Sequence, residues 1–175
     1  MIYIYVMIIC LLGYMGSGKS TLGKKLAKKM DLEFIDLDKY IELNEGKTIT
    51  DIFSETGEAT FRKIEKESLS VCLKKEKVLL SLGGGTPCFS GNMDLIKQSA
   101  ISVYLDLSPK ALQSRLIQGK SSRPLIANLS DNEMLSFIEK HLGERVSCYK
   151  QADIHFQPFD QEVNDLIEEI KAYSK

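Results

Sequence analysis

The chain has 175 residues, enough for one domain with a substantial core, and carries no internal repeat, low-complexity tract or interdomain linker. Its 23 Lys and Arg against 24 Asp and Glu leave a formal net charge of −1, which excludes the basic excess expected of a nucleic-acid-binding surface. Four widely spaced cysteines (Cys10, Cys72, Cys88, Cys148) without a C-x-x-C pair read as free thiols of a reducing, cytoplasmic compartment, and His141 and His155 lack metal-ligand spacing.

Met1 to Leu12 is almost wholly apolar. It has no basic leader or small-residue cleavage site, is too short to span a bilayer, and reads as a first strand, with Met7 as an alternative start. No membrane association is expected. Gly13-Tyr14-Met15-Gly16-Ser17-Gly18-Lys19-Ser20 then spells G-x-x-x-x-G-K-[ST], followed by Thr21. In such a loop the glycines let backbone N–H groups close on phosphate oxygens, the lysine reaches the β- and γ-phosphates, and the serine hydroxyl ligates Mg²⁺. The flanks support it: Ile8–Leu12 is a buried-strand pattern, and Leu22, Leu26, Ala27 and Met30 share one helical face, so a helix N-terminus faces the anion.

Further strands are predicted at Glu33–Asp36, Val78–Leu82, Ile101–Leu105 and Asp153–Phe156, alternating with helices, which indicates an α/β fold with a mainly parallel sheet. Strand alternation places Asp36 and Asp38 on one side at the sheet's carboxyl edge, where one carboxylate suits Mg²⁺ or its waters and the other a hydroxyl nucleophile; a capping turn is the plainer alternative. Arg62 and Glu65 are spaced as a surface i,i+3 pair. Gly83-Gly84-Gly85 after a strand exposes bare backbone to a ligand. Ser108-Pro109 and Ser130-Asp131-Asn132-Glu133 read as helix starts. The second of these helices carries Ile138, Leu142, Arg145 and Tyr149 on one stripe, and a last helix covers roughly Gln161–Tyr173. Gly119 to Leu129, with Lys120 and Arg123, has no clean period and reads equally as a surface loop or as a lid over the phosphate site.

In this order and in so short a chain, the set resembles the shikimate kinases over nearly the whole length. The resemblance rests on Gly13–Thr21, Asp36-x-Asp38, Gly57-Glu58, Phe61-Arg62-x-x-Glu65, Ser81–Gly85, Arg123-Pro124-Leu125 and Arg145-x-x-x-Tyr149. It implies a single P-loop kinase domain over 1–175, with a lid at about 119–129 and a substrate-binding region at about 36–65. The sheet would have five parallel strands in the order 2-3-1-4-5, with helices on both faces. The implied reaction moves the γ-phosphoryl of ATP to the 3-hydroxyl of shikimate, toward chorismate and the aromatic amino acids. Asp38 would contact the reacting hydroxyl, and Arg62 and Arg145 would clamp the shikimate carboxylate with Glu65 orienting them. Gly84 N–H would meet a ring hydroxyl. Gly16, Ser17, Gly18, Lys19, Ser20, Thr21 and Arg123 would bind ATP, with Lys19 and Arg123 on the transferring phosphoryl, and Ser20 and Asp36 would hold Mg²⁺. A monomer is the default. One departure is Phe156-Gln157-Pro158-Phe159-Asp160, where many members carry a polar or basic residue against adenine. A gluconate-type or nucleotide kinase on the same scaffold, which does not require the Asp38, Arg62, Gly84 and Arg145 set, and a P-loop switch module are the alternatives.

Overall fold

The computed structural model describes residues 7–119, 125–158 and 162–173. Five parallel strands form the sheet: β1 (Met7–Leu12), β2 (Glu33–Asp36), β3 (Lys77–Ser81), β4 (Ile101–Leu105) and β5 (Ile154–Phe156), in the order β2-β3-β1-β4-β5. Each expected strand is present, the ends of β2 to β5 and of the Ile8–Leu12 run shifted by no more than one residue, while residues 1–6 of the expected first strand lie outside the described residues. The central strand explains the order. From Ile8 to Leu12 every residue of β1 is buried, as a parallel strand covered on both faces must be. It is held by β3 on one side (Ile9 opposite Leu79) and β4 on the other (Ile9 opposite Ile101).

The helices are α1 (Lys19–Met30), α2 (Leu37–Glu45), α3 (Ile49–Cys72), α4 (Asn92–Ser99), α5 (Pro109–Ile117), α6 (Asp131–Gly143), α7 (Val146–Tyr149) and α8 (Val163–Tyr173), with a 3₁₀ turn at Thr86–Cys88. Successive side chains of β1 face opposite ways. Leu11 points to α1, where Gly23 lies so close that a Cβ there would come within 2.6 Å of the Phe34 ring and 3.1 Å of Leu11. Cys10 points the other way, toward Cys72 at the end of α3. Helices therefore cover both faces, and among the described residues none is long and apolar enough to cross a membrane.

Local chemistry sets the helix ends. Ser130 and Glu133 form the expected capping box, each side chain meeting the other's backbone N–H. Ser108 caps α5 ahead of Pro109. Thr48 and Asp51 cap α3, which breaks at Gly57 (φ 80°, ψ 169°) and then continues through Phe61, Arg62 and Glu65. Of the expected lid, Gly119 and residues 125–129 are described: 125–128 is a turn whose Ile126 is fully buried, while Lys120 and Arg123 lie outside the described residues.

Candidate active site

The glycine loop joins β1 to α1. Gly16 (φ 79°) and Gly18 (φ 96°) occupy the left-handed region, where other L-residues are strained, and a Cβ on Gly16 would also strike Leu116 at 2.8 Å. Ser17 is turned inward: its N–H closes the turn on Tyr14 O (3.2 Å), and its carbonyl accepts from Arg115 Nη1 (2.8 Å). Gly16, Gly18, Lys19, Ser20, Thr21 and Arg115 line a cavity of about 460 Å³ at the helix N-terminus. A larger depression of about 750 Å³ lies between α1 and α8, lined by Lys25, Lys28, Lys29, Glu162, Val163 and Asn164, but it holds no group suited to phosphoryl chemistry beyond surface lysines.

Lys19 is half-buried, its ammonium donating to Gly13 O (2.8 Å) and Tyr14 O (3.0 Å). Burial lowers its pKa to about 8, against the opposing pull of Asp38 and Asp36. Ser20 Oγ donates to Asp36 Oδ2 at 2.8 Å. The strand alternation expected to align Asp36 with Asp38 stops at Asp36, because Asp36 caps α2 and Leu37, fully buried, opens it. Asp38 lies in the first helical turn. Both carboxylates still converge on Lys19, brought there by a helical turn instead of by pleat. Asp38 is pushed up to about 6, by burial first and then by the negative charges of Asp36 and Glu65, with Lys19 opposing.

The glycine triplet after β3 is the point where the remaining groups meet. A Cβ on Gly83 would sit 2.7 Å from Asp38 Oδ1, and one on Gly85 3.1 Å from both terminal nitrogens of Arg62. One on Gly84 would lie 3.7 Å from Arg145 Nη1 and equally far from Met15 N in the phosphate loop. Bare backbone thus lets an aspartate, two guanidiniums and the loop approach one another.

Spacing alone suggests a surface pair for Arg62 and Glu65, but tertiary contacts bury it. Glu65 is 2 % exposed, accepting from Arg62 Nη1 (2.9 Å) and Thr86 Oγ1 (2.7 Å). Glu58 accepts from Arg62 as well, and the Arg62 guanidinium stacks 3.8 Å from the Phe89 ring centroid. The guanidinium is thereby fixed as a fork, the geometry that matches a carboxylate.

Arg145 reaches the site by a break in the expected stripe. α6 stops at Gly143, a poor helix former, its end tightening to an i→i+3 bond from Arg145 N to Leu142 O. Arg145 (φ −117°, ψ −20°) precedes α7, whose Tyr149 hydroxyl donates to Gly84 O. Two contacts have no local signal in the sequence. Arg115 belongs to α5 and reaches the phosphate loop from a patterned helix, and Tyr14 Oη shares a 2.9 Å hydrogen bond with His141 Nδ1 on α6.

The arrangement combines an anion-binding loop, a carboxylate that ionises near neutrality and a forked cationic pair within reach of one backbone hub. It suits phosphoryl transfer to a hydroxyl of a small organic acid. Comparison with known proteins points the same way. The family model described as shikimate kinase matches residues 15–174. A shikimate kinase of Bacteroides fragilis is 47 % identical over 145 residues, covering 83 % of this chain and 81 % of its own. The crystal structure of shikimate kinase from Bacteroides thetaiotaomicron superposes with a TM-score of 0.87 at 37 % identity, covering 95 % of this chain and 97 % of that one. Shikimate kinase from Acinetobacter baumannii in complex with shikimate gives 0.82 at 30 % identity, over 96 % and 92 %.

Proposed function

The chain belongs to the shikimate kinase family, and from that premise we propose how its side chains divide the work of moving the γ-phosphoryl of ATP to shikimate. The products are ADP and shikimate 3-phosphate, on the route to chorismate and aromatic amino acids. The observation that carries the assignment of roles is the convergence on Gly83–Gly85 of Asp38, Arg62, Arg145 and the phosphate loop.

Arg62 and Arg145 grip the shikimate carboxylate. Glu65, buried beneath Arg62, takes only Nη1 of the fork, because Thr86 occupies its second oxygen. The Gly84 peptide, held by Tyr149 at its carbonyl, offers its N–H to a ring hydroxyl. Asp38 accepts the hydrogen bond, and then the proton, of the reacting hydroxyl. Backbone N–H groups at Gly16 to Thr21 cradle the phosphates, and Lys19 releases Gly13 O and Tyr14 O to meet the charge on the transferring phosphoryl. For Arg123, outside the described residues, we keep the role of a lid cation on the same phosphoryl; Arg123→Ala should lower turnover far more than shikimate affinity in steady-state kinetics.

Mg²⁺ fits the residues present. Ser20 Oγ and Asp36 Oδ2 set two hard oxygens 2.8 Å apart at the mouth of the loop, and among the described residues no cluster of three His, Cys, Asp or Glu competes. Such a site suits an ion that keeps most of its waters and binds phosphate oxygens. Ser20 would hold it directly and Asp36 through water, and when bound it neutralises phosphate charge. A monomer remains the default, and the four free cysteines support a cytoplasmic setting.

The direct test is ADP release with ATP and Mg²⁺ over a panel of shikimate, gluconate and nucleoside monophosphates. Turnover with shikimate alone is expected; preference for another acceptor would overturn the assignment. If the two arginines hold one carboxylate, Arg62→Ala or Arg145→Ala each costs about 2–5 kcal/mol of binding, so the KM for shikimate rises by at least about tenfold while that for ATP changes little. Lysine at either position should rescue poorly, since a point charge does not reproduce the fork.

Gly83→Ala tests the hub. Gly83 is not in the left-handed region, so alanine costs no φ strain, but the new Cβ would press on Asp38 Oδ1 (2.7 Å) and on the buried Thr86 Oγ1 (2.9 Å), and both must shift. A melting temperature lowered by a few degrees, with turnover down by about tenfold to a hundredfold, is expected.

A further inference from the structure

Two thiols that neither the phosphoryl transfer nor the carboxylate clamp uses lie beside residues that support the clamp. Cys88 ends the 3₁₀ turn that follows Gly85, and Cys148 lies in α7, which packs on that turn. Across this contact the two thiols lie close enough to act on each other's ionisation, although 60 residues separate them, and both are partly buried. Their neighbours belong to the clamp. Phe89, next to Cys88, stacks on the Arg62 guanidinium, and Tyr149, next to Cys148, holds Gly84 O.

We propose that Cys88 and Cys148 form a modification site for low-molecular-weight disulfides, closing to an intramolecular Cys88–Cys148 bond that weakens shikimate binding. The effect on shikimate rests on the clamp reading above; the formation of the bond does not. In the first step the Cys148 thiolate attacks a small disulfide, forms a mixed disulfide and releases one half as thiolate. The Cys88 thiolate then attacks the Cys148 sulfur and expels the other half. The two cysteine sulfurs lose two electrons, the small disulfide gains them, and the two thiol protons end on the two released thiols.

The surroundings favour this pair over the other. Each thiol shifts the other: Cys88 lowers the pKa of Cys148, which makes Cys148 the first thiolate, while Cys148 and burial raise that of Cys88 against the opposing charges of Arg145 and Arg62. Cys10 and Cys72 also approach each other, but both are fully buried, and burial pushes Cys72 up to about 11 and Cys10 higher still. A disulfide brings the sulfurs to about 2.05 Å, well inside any non-bonded contact between two free thiols. The turn and α7 must therefore draw together, and the supports of Arg62 and Gly84 move with them.

The test equilibrates the intact protein with stepped ratios of reduced and oxidised glutathione, blocks free thiols, and follows intact mass, peptide linkage and kinetics. Loss of two hydrogens in one transition is expected, mapped to a peptide joining Cys88 and Cys148. The KM for shikimate should rise by about tenfold or more, as expected for a site group displaced by an ångström, with that for ATP little changed. Reductant should reverse both, and bound shikimate should retard the bond. Cys88→Ser and Cys148→Ser should each lack the crosslink, carry one glutathione on the remaining thiol instead, and keep basal activity. The site is overturned if no ratio produces the bond in wild type, or if linkage maps elsewhere. If the bond forms and shikimate kinetics are unmoved, its coupling to the clamp is overturned. In that case the Arg62→Ala and Arg145→Ala kinetics show whether the clamp reading fails with it.

Discussion

Lys19→Ala is expected to give a folded protein whose phosphoryl transfer is reduced by about a thousandfold or more, the scale of removing a charge that meets the transition state. The loss should appear in kcat more than in the KM for shikimate, because Lys19 does not touch the carboxylate clamp. Its effect on stability is a balance. The lysine gives charged hydrogen bonds to Gly13 O and Tyr14 O, both in buried residues, and deleting it strands those carbonyls. Against that, burial disfavours its charge, as the pKa of about 8 records, so removal also relieves a desolvated cation. A melting temperature within a few degrees of wild type is expected by circular dichroism. Near-normal turnover in the variant would remove the loop from the catalytic assignment.

Asp38→Asn should lower turnover by about a hundredfold or more, since a general base contributes roughly 10²–10⁴ and asparagine cannot accept the proton. It should also make the protein more stable at neutral pH. The Asp38 pKa rises from 3.8 to about 6 on folding, so the wild-type carboxyl favours the folded state below 3.8 and that advantage is lost as pH climbs through 6. Asparagine stays neutral and keeps the advantage. The variant should therefore gain on the wild type between about pH 4 and 6 and hold the gain above, at up to about 2–3 kcal/mol for a two-unit shift. Denaturant melts at pH 4 and pH 7.5 read this directly. The same two groups frame the activity profile. Asp38 must be ionised and Lys19 protonated, so kcat/KM should fall below about pH 6 and above about pH 8. Loss of the acid limb alone in Asp38→Asn would assign that limb.

The legible parts of this protein are those whose cause is local. β1 reads as a strand because five apolar residues run into a glycine loop, and Ser130 reads as a cap because Glu133 stands three residues on. The order 2-3-1-4-5 came with the family resemblance, not with any run of residues. What the local pattern misplaces are residues whose setting is made by distant chain. Glu65 looks like half of a surface pair, yet it is buried, with its second oxygen held by Thr86 from the turn beyond β3. Arg145 continues an apolar stripe on paper, yet the helix yields at Gly143 and leaves the guanidinium beside Gly84. Asp38 fits a period of two on paper and belongs to a helical turn. Arg115 carries no mark at all, since what defines it is Ser17 O, 98 residues away in the chain.

The central position of β1 has a consequence for the order of events during synthesis. β1 leaves the ribosome first among the strands, but its earliest partner, β3, begins 70 residues later, with Met7 opposite Lys77. At about 5–20 residues per second the most apolar strand waits some ~4–14 s without a hydrogen-bonding neighbour. β2 emerges in the interval and offers no relief, because it pairs with β3 and not with β1. The nascent chain therefore displays an unpaired apolar strand through the making of α1, α2 and α3, and the phosphate loop attached to it has no fixed floor until Ser81 is in place. The catalytic motif is translated well before the strand that fixes its shape.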